Sequence, residues 1–138
     1  MRISIFAKRD LYYTRDHEWI DFQGAVAHIG VGEFKLTGFR ELHAVNFMPS
    51  SGFKHQGDVL AFLIYQDYQI GVHMPVNGRI DQVNQIFLTD NLPQILLHLK
   101  FNGWIYTIIP SDPDDREGLI TGEEYLSLDR TRAAINQK

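Results

Sequence analysis

Glycines divide most of this chain into short runs in which apolar and polar side chains alternate. Up to residue 103 they stand at positions 24, 30, 32, 38, 52, 57, 71, 78 and 103. Alternation with a period of two is typical of half-buried strands, and such frequent turn residues leave little room for the long helical crossovers of βαβ units. The sequence therefore predicts a mainly β fold, a tight sandwich of short strands.

The clearest strands lie between residues 57 and 84. Residues 57–64 form an apolar run entered from a glycine turn, residues 65–69 are polar, and residues 70–74 alternate again. The Pro-Val-Asn-Gly sequence at 75–78 is turn chemistry, and residues 79–84 read as a further strand. This order predicts a hairpin with its tip near Asp67.

Other segments complete the predicted element order. Residues 25–29 and 42–47 read as strands, and residues 91–98 as a short helical turn in a long connection. Acidic residues and a proline at 112–115 precede residues 116–119 and predict a helix start there. A second helix is expected from Gly122 or Glu123 to Asp129, with Tyr125 and Leu128 on one face.

Composition fits one small soluble domain. The chain has 138 residues, 44% of them hydrophobic, and a net charge of −4, which argues against a nucleic-acid surface. Cysteine is absent, which excludes disulfides and thiolate chemistry. Residues 1–9 are too short for a targeting peptide, and no apolar run is long enough for a membrane span. We expect a cytoplasmic protein.

The chain offers no convincing enzymatic motif. Gly30-Val31-Gly32 lacks the third glycine and following helix of a phosphate loop and is interpreted as a turn. The histidines at 17, 28, 43, 55, 73 and 98 show no metal-ligand spacing, although those at 28, 43 and 73 are expected in strands. Serine, histidine and aspartate occur without a nucleophile elbow. We expect no catalytic residues, no metal and no enzyme.

Several segments, in the right order, resemble the H protein of the glycine cleavage system, a lipoyl-domain protein. The resemblance extends from about residue 11 to residue 128. Its motifs are the Tyr-Thr and His-Glu-Trp stretch at 13–20, Ile-Gly-Val-Gly-Glu-Phe at 29–34, Gly-Asp-Val at 57–59, Gly-Trp to Pro-Ser-Asp-Pro at 103–113, and Glu-Glu-Tyr at 123–125. It implies a lipoyl/biotinyl-domain-like barrel-sandwich of two small sheets with short C-terminal helices. The expected domain is 11–130, between an N-terminal extension (1–10) and a tail (131–138).

The hairpin tip departs from this family. In H proteins a tip lysine carries lipoate, but this chain has no lysine between Lys54 and Lys100. Counting from the Gly-Asp-Val turn and from the Pro-Val-Asn-Gly turn places Asp67 at the lysine position. The family's Glu-Ser-Val-Lys-Ala is replaced by Ile-Tyr-Gln-Asp-Tyr at 64–68. An aspartate has no amine to acylate, so no bound cofactor is expected, although lipoate is the cofactor of the family.

The resemblance also directs attention to Glu18, Tyr65 and Tyr68. In H proteins the acidic residue of His-Glu-Trp lies near the pocket that shelters the loaded arm, so Glu18 marks either an inherited pocket or a structural motif whose Trp19 packs in the core. Tyr65 and Tyr68, with Asp67, would make the tip an amphipathic surface for a protein partner. The tyrosines are equally good strand residues.

Three functions remain open from the sequence. The first is a non-lipoylated relative that binds partners without catalysis, either the P, T or L components of glycine cleavage or the enzymes that attach lipoate. The second is an authentic aminomethyl carrier modified at another lysine, such as Lys54 or Lys35. The third is a diverged binding module of unrelated role.

Overall fold

The computed structural model describes residues 11–49 and 52–128, which form two antiparallel sheets and a few short helices. The strands are β1 (Tyr12–Tyr13), β2 (Glu18–Gln23), β3 (Val26–Val31), β4 (Ala44–Phe47), β5 (Phe53–Lys54), β6 (Val59–Tyr65), β7 (Tyr68–His73), β8 (Gly78–Val83), β9 (Tyr106–Pro110) and β10 (Ile120–Thr121). The helices are α1 (Leu92–Lys100), α2 (122–128) and two 3₁₀ helices, Glu33–Leu36 and Gln85–Leu88.

The larger sheet has seven strands in the order β10-β1-β2-β3-β9-β8-β5, and the smaller sheet has three in the order β4-β6-β7. All of these neighbours pair antiparallel. The strands predicted at 25–29, 42–47, 57–64, 70–74 and 79–84 correspond to β3, β4, β6, β7 and β8. The predicted mainly β sandwich is therefore confirmed.

A single apolar cluster fills the fold and includes residues from both sheets. Ile29 and Ile108 come from the larger sheet and Leu63 from the smaller one, and each is at most 1% exposed. Burial of such side chains contributes about 1.5–3 kcal/mol each relative to exposure. Because both sheets contribute to this core, it holds β7 of the smaller sheet against β2 of the larger sheet.

Trp19 is fully buried, as the structural interpretation of His-Glu-Trp requires. Its indole lies over Gly30 on the neighbouring strand, to which it is paired. A Cβ atom at Gly30 would stand 2.5 Å from Trp19 Cζ2, so only glycine leaves room for the ring. The interpretation of Gly30-Val31-Gly32 as a turn was wrong for Gly30 and Val31, which belong to β3. Gly32 follows the strand and caps the first 3₁₀ helix.

The helix prediction at 116–119 was wrong. Asp112 Oδ1 accepts a hydrogen bond from the amide of Asp114 at 3.0 Å, and Asp115 Oδ1 accepts one from Glu117 at 2.9 Å. Short acidic side chains that bond the backbone two residues on favour turns over helix. Arg116 lies over the Phe22 ring at 3.6 Å, which places it against the larger sheet.

The other two helices occur where the sequence indicated. Helix α1 is longer than the predicted 91–98 turn, and Asn91 caps it by accepting from the amide of Gln94 at 3.2 Å. Helix α2 begins with a capping box, in which Thr121 and Glu124 bond each other's amides. The hydrogen bonds from the Thr121 amide and hydroxyl lower the pKa of Glu124.

Some predictions fall on residues that the structure does not describe. The N-terminal extension (1–10), the tail (131–138) and the final residue of the second helix, Asp129, lie outside the described residues, so the division into extension, domain and tail stays a prediction. Within residues 11–49 and 52–128, no helix is both long and apolar enough to span a bilayer.

Candidate functional site

The hairpin formed by β6 and β7 ends in a two-residue turn. Pairing continues along both strands to Tyr65 opposite Tyr68, which leaves Gln66 and Asp67 as the turn residues. Gln66 adopts a φ of 55°, and the side chains of both turn residues face solvent. The residue predicted at the hairpin tip is therefore at the tip in the structure.

His43 supports this turn from outside the hairpin. Its Nδ1 accepts a hydrogen bond from the amide of Gln66 at 3.0 Å, while its Nε2 lies 3.2 Å from Glu41 Oε2. Its ring is 5.1 Å from that of Tyr65. His43 was expected within a strand, but it lies just before β4. No sequence signal indicated its contact with the turn.

The two tip tyrosines differ in their surroundings. Tyr65 is half-buried, with its ring packed against His43 and against Phe39 at 5.9 Å. Tyr68 is 61% exposed. Of the three residues suggested for partner contact, Asp67 and Tyr68 thus form the accessible surface, whereas Tyr65 anchors the hairpin to the core.

A second polar cluster surrounds Glu18, whose side chain is 1% exposed. The hydroxyl of Thr14 donates to Glu18 Oε1 at 2.7 Å. The other oxygen, Oε2, accepts from the backbone amide of His73 at 2.9 Å and lies 2.9 Å from His73 Nδ1. The ammonium of Lys35 also donates to Oε2. Both carboxylate oxygens are thus engaged by the protein's own donors.

The partners of Glu18 come from different parts of the fold. Glu18 begins β2 in the larger sheet, His73 ends β7 in the smaller sheet, and Lys35 extends from the 3₁₀ helix between β3 and β4. The Lys35 side chain is 8% exposed, so this is a buried ion pair. A buried carboxylate requires such compensation because its desolvation is costly. The contacts between Glu18 and His73 link the two sheets at this end of the sandwich.

Asp16, Glu18 and His73 place one potential ligand atom each within 4.8 Å of one another. The Lys35 ammonium already bonds Glu18 Oε2 and lies 3.5 Å from His73 Nδ1. A metal ion bound by these residues would lie close to that ammonium and would be repelled by its positive charge. The donor set therefore does not favour a divalent metal.

The sequence matches the family model described as glycine cleavage H-protein over residues 11–131. The chain belongs to the glycine cleavage H-protein family. Proteins of this family are lipoyl carriers rather than enzymes, and they interact with the P, T and L components of glycine cleavage.

Individual relatives cover nearly the whole chain. It is 29% identical over 118 residues to the glycine cleavage system H protein of Alkaliphilus oremlandii, covering 86% of this chain and 91% of that protein. It is 27% identical over 132 residues to a probable glycine cleavage system H protein of Aeropyrum pernix, covering 94% and 90%. The crystal structure of an H protein from Mycobacterium marinum has the same fold, with a TM-score of 0.71 at 22% identity over 87% of this chain and 96% of that one.

The His-Glu-Trp motif of this H-protein relative has three separate structural partners. His17 Nδ1 lies 2.6 Å from the Tyr125 hydroxyl, which joins the β1–β2 turn to α2. Glu18 bonds Lys35 and His73, and Trp19 packs over Gly30. Sequence reasoning singled out Glu18 but did not identify Lys35 or His73 as its partners.

The hairpin tip and the Glu18 cluster lie at opposite ends of β7. Asp67 precedes this strand, and His73 is its last residue. At about 3.3 Å per residue, roughly 20 Å separates them along the strand. A shallow cavity of about 240 Å³ lies beside the cluster, with Asp16, Gln56 and Gly118 in its wall. The two features are therefore distinct sites on one scaffold.

Proposed function

We propose that this chain is a non-lipoylated H-protein relative that binds protein partners of the glycine cleavage or lipoate machinery without carrying the cofactor. The observation that carries the proposal is the composition of the hairpin turn. Its residues are Gln66 and Asp67, and no lysine occurs between Lys54 and Lys100.

The chemistry of lipoyl attachment explains why this observation matters. Attachment forms an amide between a carboxyl group and a lysine ε-amine, which is a nucleophile on a long flexible stem. Asp67 has a short carboxylate that accepts hydrogen bonds, and Gln66 has an unreactive amide. The turn residues therefore do not fit an amide-linked lipoyl group.

The lysines considered as substitutes are poorly placed. Lys35 is buried and its ammonium is bonded to Glu18, so its side chain is not accessible to an attaching enzyme. Lys54 lies in the edge strand β5, where its ammonium donates to the carbonyl of Pro49 at 2.9 Å. Neither stands at the apex of a hairpin. Both placements favour the non-lipoylated alternative over the carrier alternative.

The Glu18 cluster provides independent support. The family resemblance implies that this carboxylate lies near the pocket that shelters a loaded arm, where it would hold an external ammonium by a charge-assisted hydrogen bond. In this chain the ammonium of Lys35 already occupies that role. A protein without an arm has no external ammonium to hold, and its carboxylate is stabilised internally.

The exposed face of the tip is the surface that we propose contacts partners. Asp67 and Tyr68 project from a hairpin whose base is held by Tyr65 and His43. A rigid turn with one exposed aromatic side chain presents contact area at low entropic cost. The proposed partners are the P, T or L components or the enzymes that attach lipoate.

We predict that the protein does not support glycine-dependent carbon dioxide exchange by a compatible glycine decarboxylase. That exchange requires a dithiolane to accept the aminomethyl group, and the chain has no cysteine to replace it. The protein should first be treated with lipoate ligase and lipoate. A lipoylated H protein serves as the positive control, and exchange above the level without any H protein would contradict the proposal.

The same assay tests partner binding. If the protein docks on the decarboxylase as an unmodified H protein would, an excess of it should inhibit exchange supported by the lipoylated H protein. The variant Tyr68→Ala should inhibit less, whereas Phe53→Ala, which changes an exposed aromatic residue on β5, should inhibit as well as the parent protein. The partner role would be contradicted if the protein does not inhibit the exchange and also does not bind the T component, the L component or the lipoate ligase.

A further inference from the structure

A cavity of about 500 Å³ lies between helix α1 and the segment at residues 40–42, just before His43, the residue that supports the hairpin turn. The segment follows Phe39 and leads into β4. The volume falls within the range of small-ligand pockets, roughly 300–1,000 Å³. The cavity is bounded only by one helix and a three-residue segment. Its surface is much smaller than the area that a stable protein–protein interface buries, so a small molecule is the more suitable ligand.

The floor and one wall of this cavity are apolar. Leu42 and Leu96 are 4% and 6% exposed and form part of the protein core, while Leu92 and Leu97 border the opening. Leu97 is 56% exposed, so its side chain is available to a ligand in the cavity. A ligand with an aliphatic portion would cover this surface and gain about 25 cal/mol per Å² removed from water.

The rim of the cavity is positively charged. Arg40 and Lys100 both line it, and within the described part of the chain neither side chain has an ion-pair partner. Glu41 also lines the cavity, but its carboxylate lies 3.2 Å from His43 Nε2. Two cations against one carboxylate leave the rim with a net positive charge, on a chain whose overall charge is −4.

We propose that this cavity binds a small amphiphilic carboxylate, with its aliphatic tail against Leu42, Leu96 and Leu97 and its head group on Arg40 and Lys100. A guanidinium matches a carboxylate with two parallel hydrogen bonds. The ammonium of Lys100 adds a second, less directional charge at the same rim. The proposal does not require the hairpin tip to contact a partner, because no residue that lines the cavity belongs to the hairpin or to the Glu18 cluster; Glu41 reaches the hairpin turn only through His43.

Titration of the isotopically labelled full-length protein with decanoate, below its micellar concentration, tests the proposal by amide chemical shifts. We expect saturable shifts at residues 40–42 and along α1. Arg40→Gln should weaken decanoate binding about tenfold or more, because a charge-assisted hydrogen bond is lost. Lys100→Gln should weaken it less, and Leu97→Ser should weaken it by reducing the apolar contact.

Matched controls separate this site from general hydrophobic adsorption. Lys54→Gln removes a cation from β5, outside the cavity, and should leave decanoate affinity unchanged. Decanol and decyltrimethylammonium keep the tail but lack the anionic head, so both should bind at least tenfold more weakly. The proposal is overturned if shifts do not saturate, if they fall elsewhere, if decanol binds as tightly as decanoate, or if Arg40→Gln binds like the parent protein.

Discussion

Replacing Lys35 with methionine should lower the free energy of unfolding by about 3–5 kcal/mol, the usual cost of removing one partner from a buried ion pair. Glu18 is 1% exposed, and the substitution would remove the ammonium that balances its carboxylate among protein atoms. Methionine is similar in length to the lysine stem, so little of the loss would come from packing. Urea denaturation at neutral pH measures the change.

Two variants make this result specific. Lys54→Met removes a partly exposed lysine and should change stability by about 0.5 kcal/mol or less. The double variant Glu18→Gln with Lys35→Met should be more stable than Lys35→Met alone, since a neutral amide no longer needs a buried cation while Thr14 and His73 remain available to it. Equal stability of Lys35→Met and Lys54→Met would show that the Glu18 carboxylate is not balanced by Lys35.

Restoring a lysine at the hairpin tip should make the protein a substrate for lipoate ligase. Asp67 is an exposed turn residue, so Asp67→Lys should fold normally, with a stability change of about 0.5 kcal/mol or less. The bulky, exposed Tyr68 follows the new lysine directly, and we expect it to slow docking of the ligase. Asp67→Lys with Tyr68→Ala should therefore be lipoylated faster than Asp67→Lys alone, as followed by intact mass over time.

The matched control is Asp90→Lys, which places a lysine on an exposed bend outside the hairpin. It should remain unmodified. Tyr65 is left unchanged in this design because its ring packs on Phe39 and His43, and its replacement would loosen the hairpin itself. If Asp90→Lys is lipoylated as fast as Asp67→Lys, the ligase does not recognise the hairpin. A folded double variant that stays unmodified would show that the lysine position is not at residue 67.

The sequence predicted the parts of this fold that depend on neighbouring residues. An apolar run identified β6 and alternation identified β7, and the turns on either side, at Gly57 and at residues 75–78, fixed their register closely enough to place Asp67 at the tip. The helix predicted from Gly122 or Glu123 likewise depends on nearby residues, although its Thr121–Glu124 capping box was not recognised from the sequence. Such local signals survive in a single sequence because each one depends only on the chain around it.

The Glu18 cluster shows where this approach fails. Lys35 and His73 are 17 and 55 residues from Glu18 along the chain. His73 is brought to Glu18 by the packing of one sheet on the other, and Lys35 by the 3₁₀ helix that follows β3, the strand paired with β2. Nothing in the residues around Lys35 distinguishes a buried ammonium from a solvated one. The helix predicted at 116–119 was wrong for a different reason. The acidic residues that are typical of a helix start also accept hydrogen bonds from turn amides, and turns formed there instead.

The most direct test of the non-lipoylated proposal is the intact mass of the full-length protein after co-expression with a lipoate ligase in the presence of free lipoate. A lysine-bearing H protein expressed in the same way confirms that the ligase is active. We expect the mass of the unmodified chain, because the turn residues Gln66 and Asp67 offer no amine and Lys35 is buried against Glu18. A stoichiometric lipoyl group on any lysine would contradict the proposal and identify the protein as a carrier.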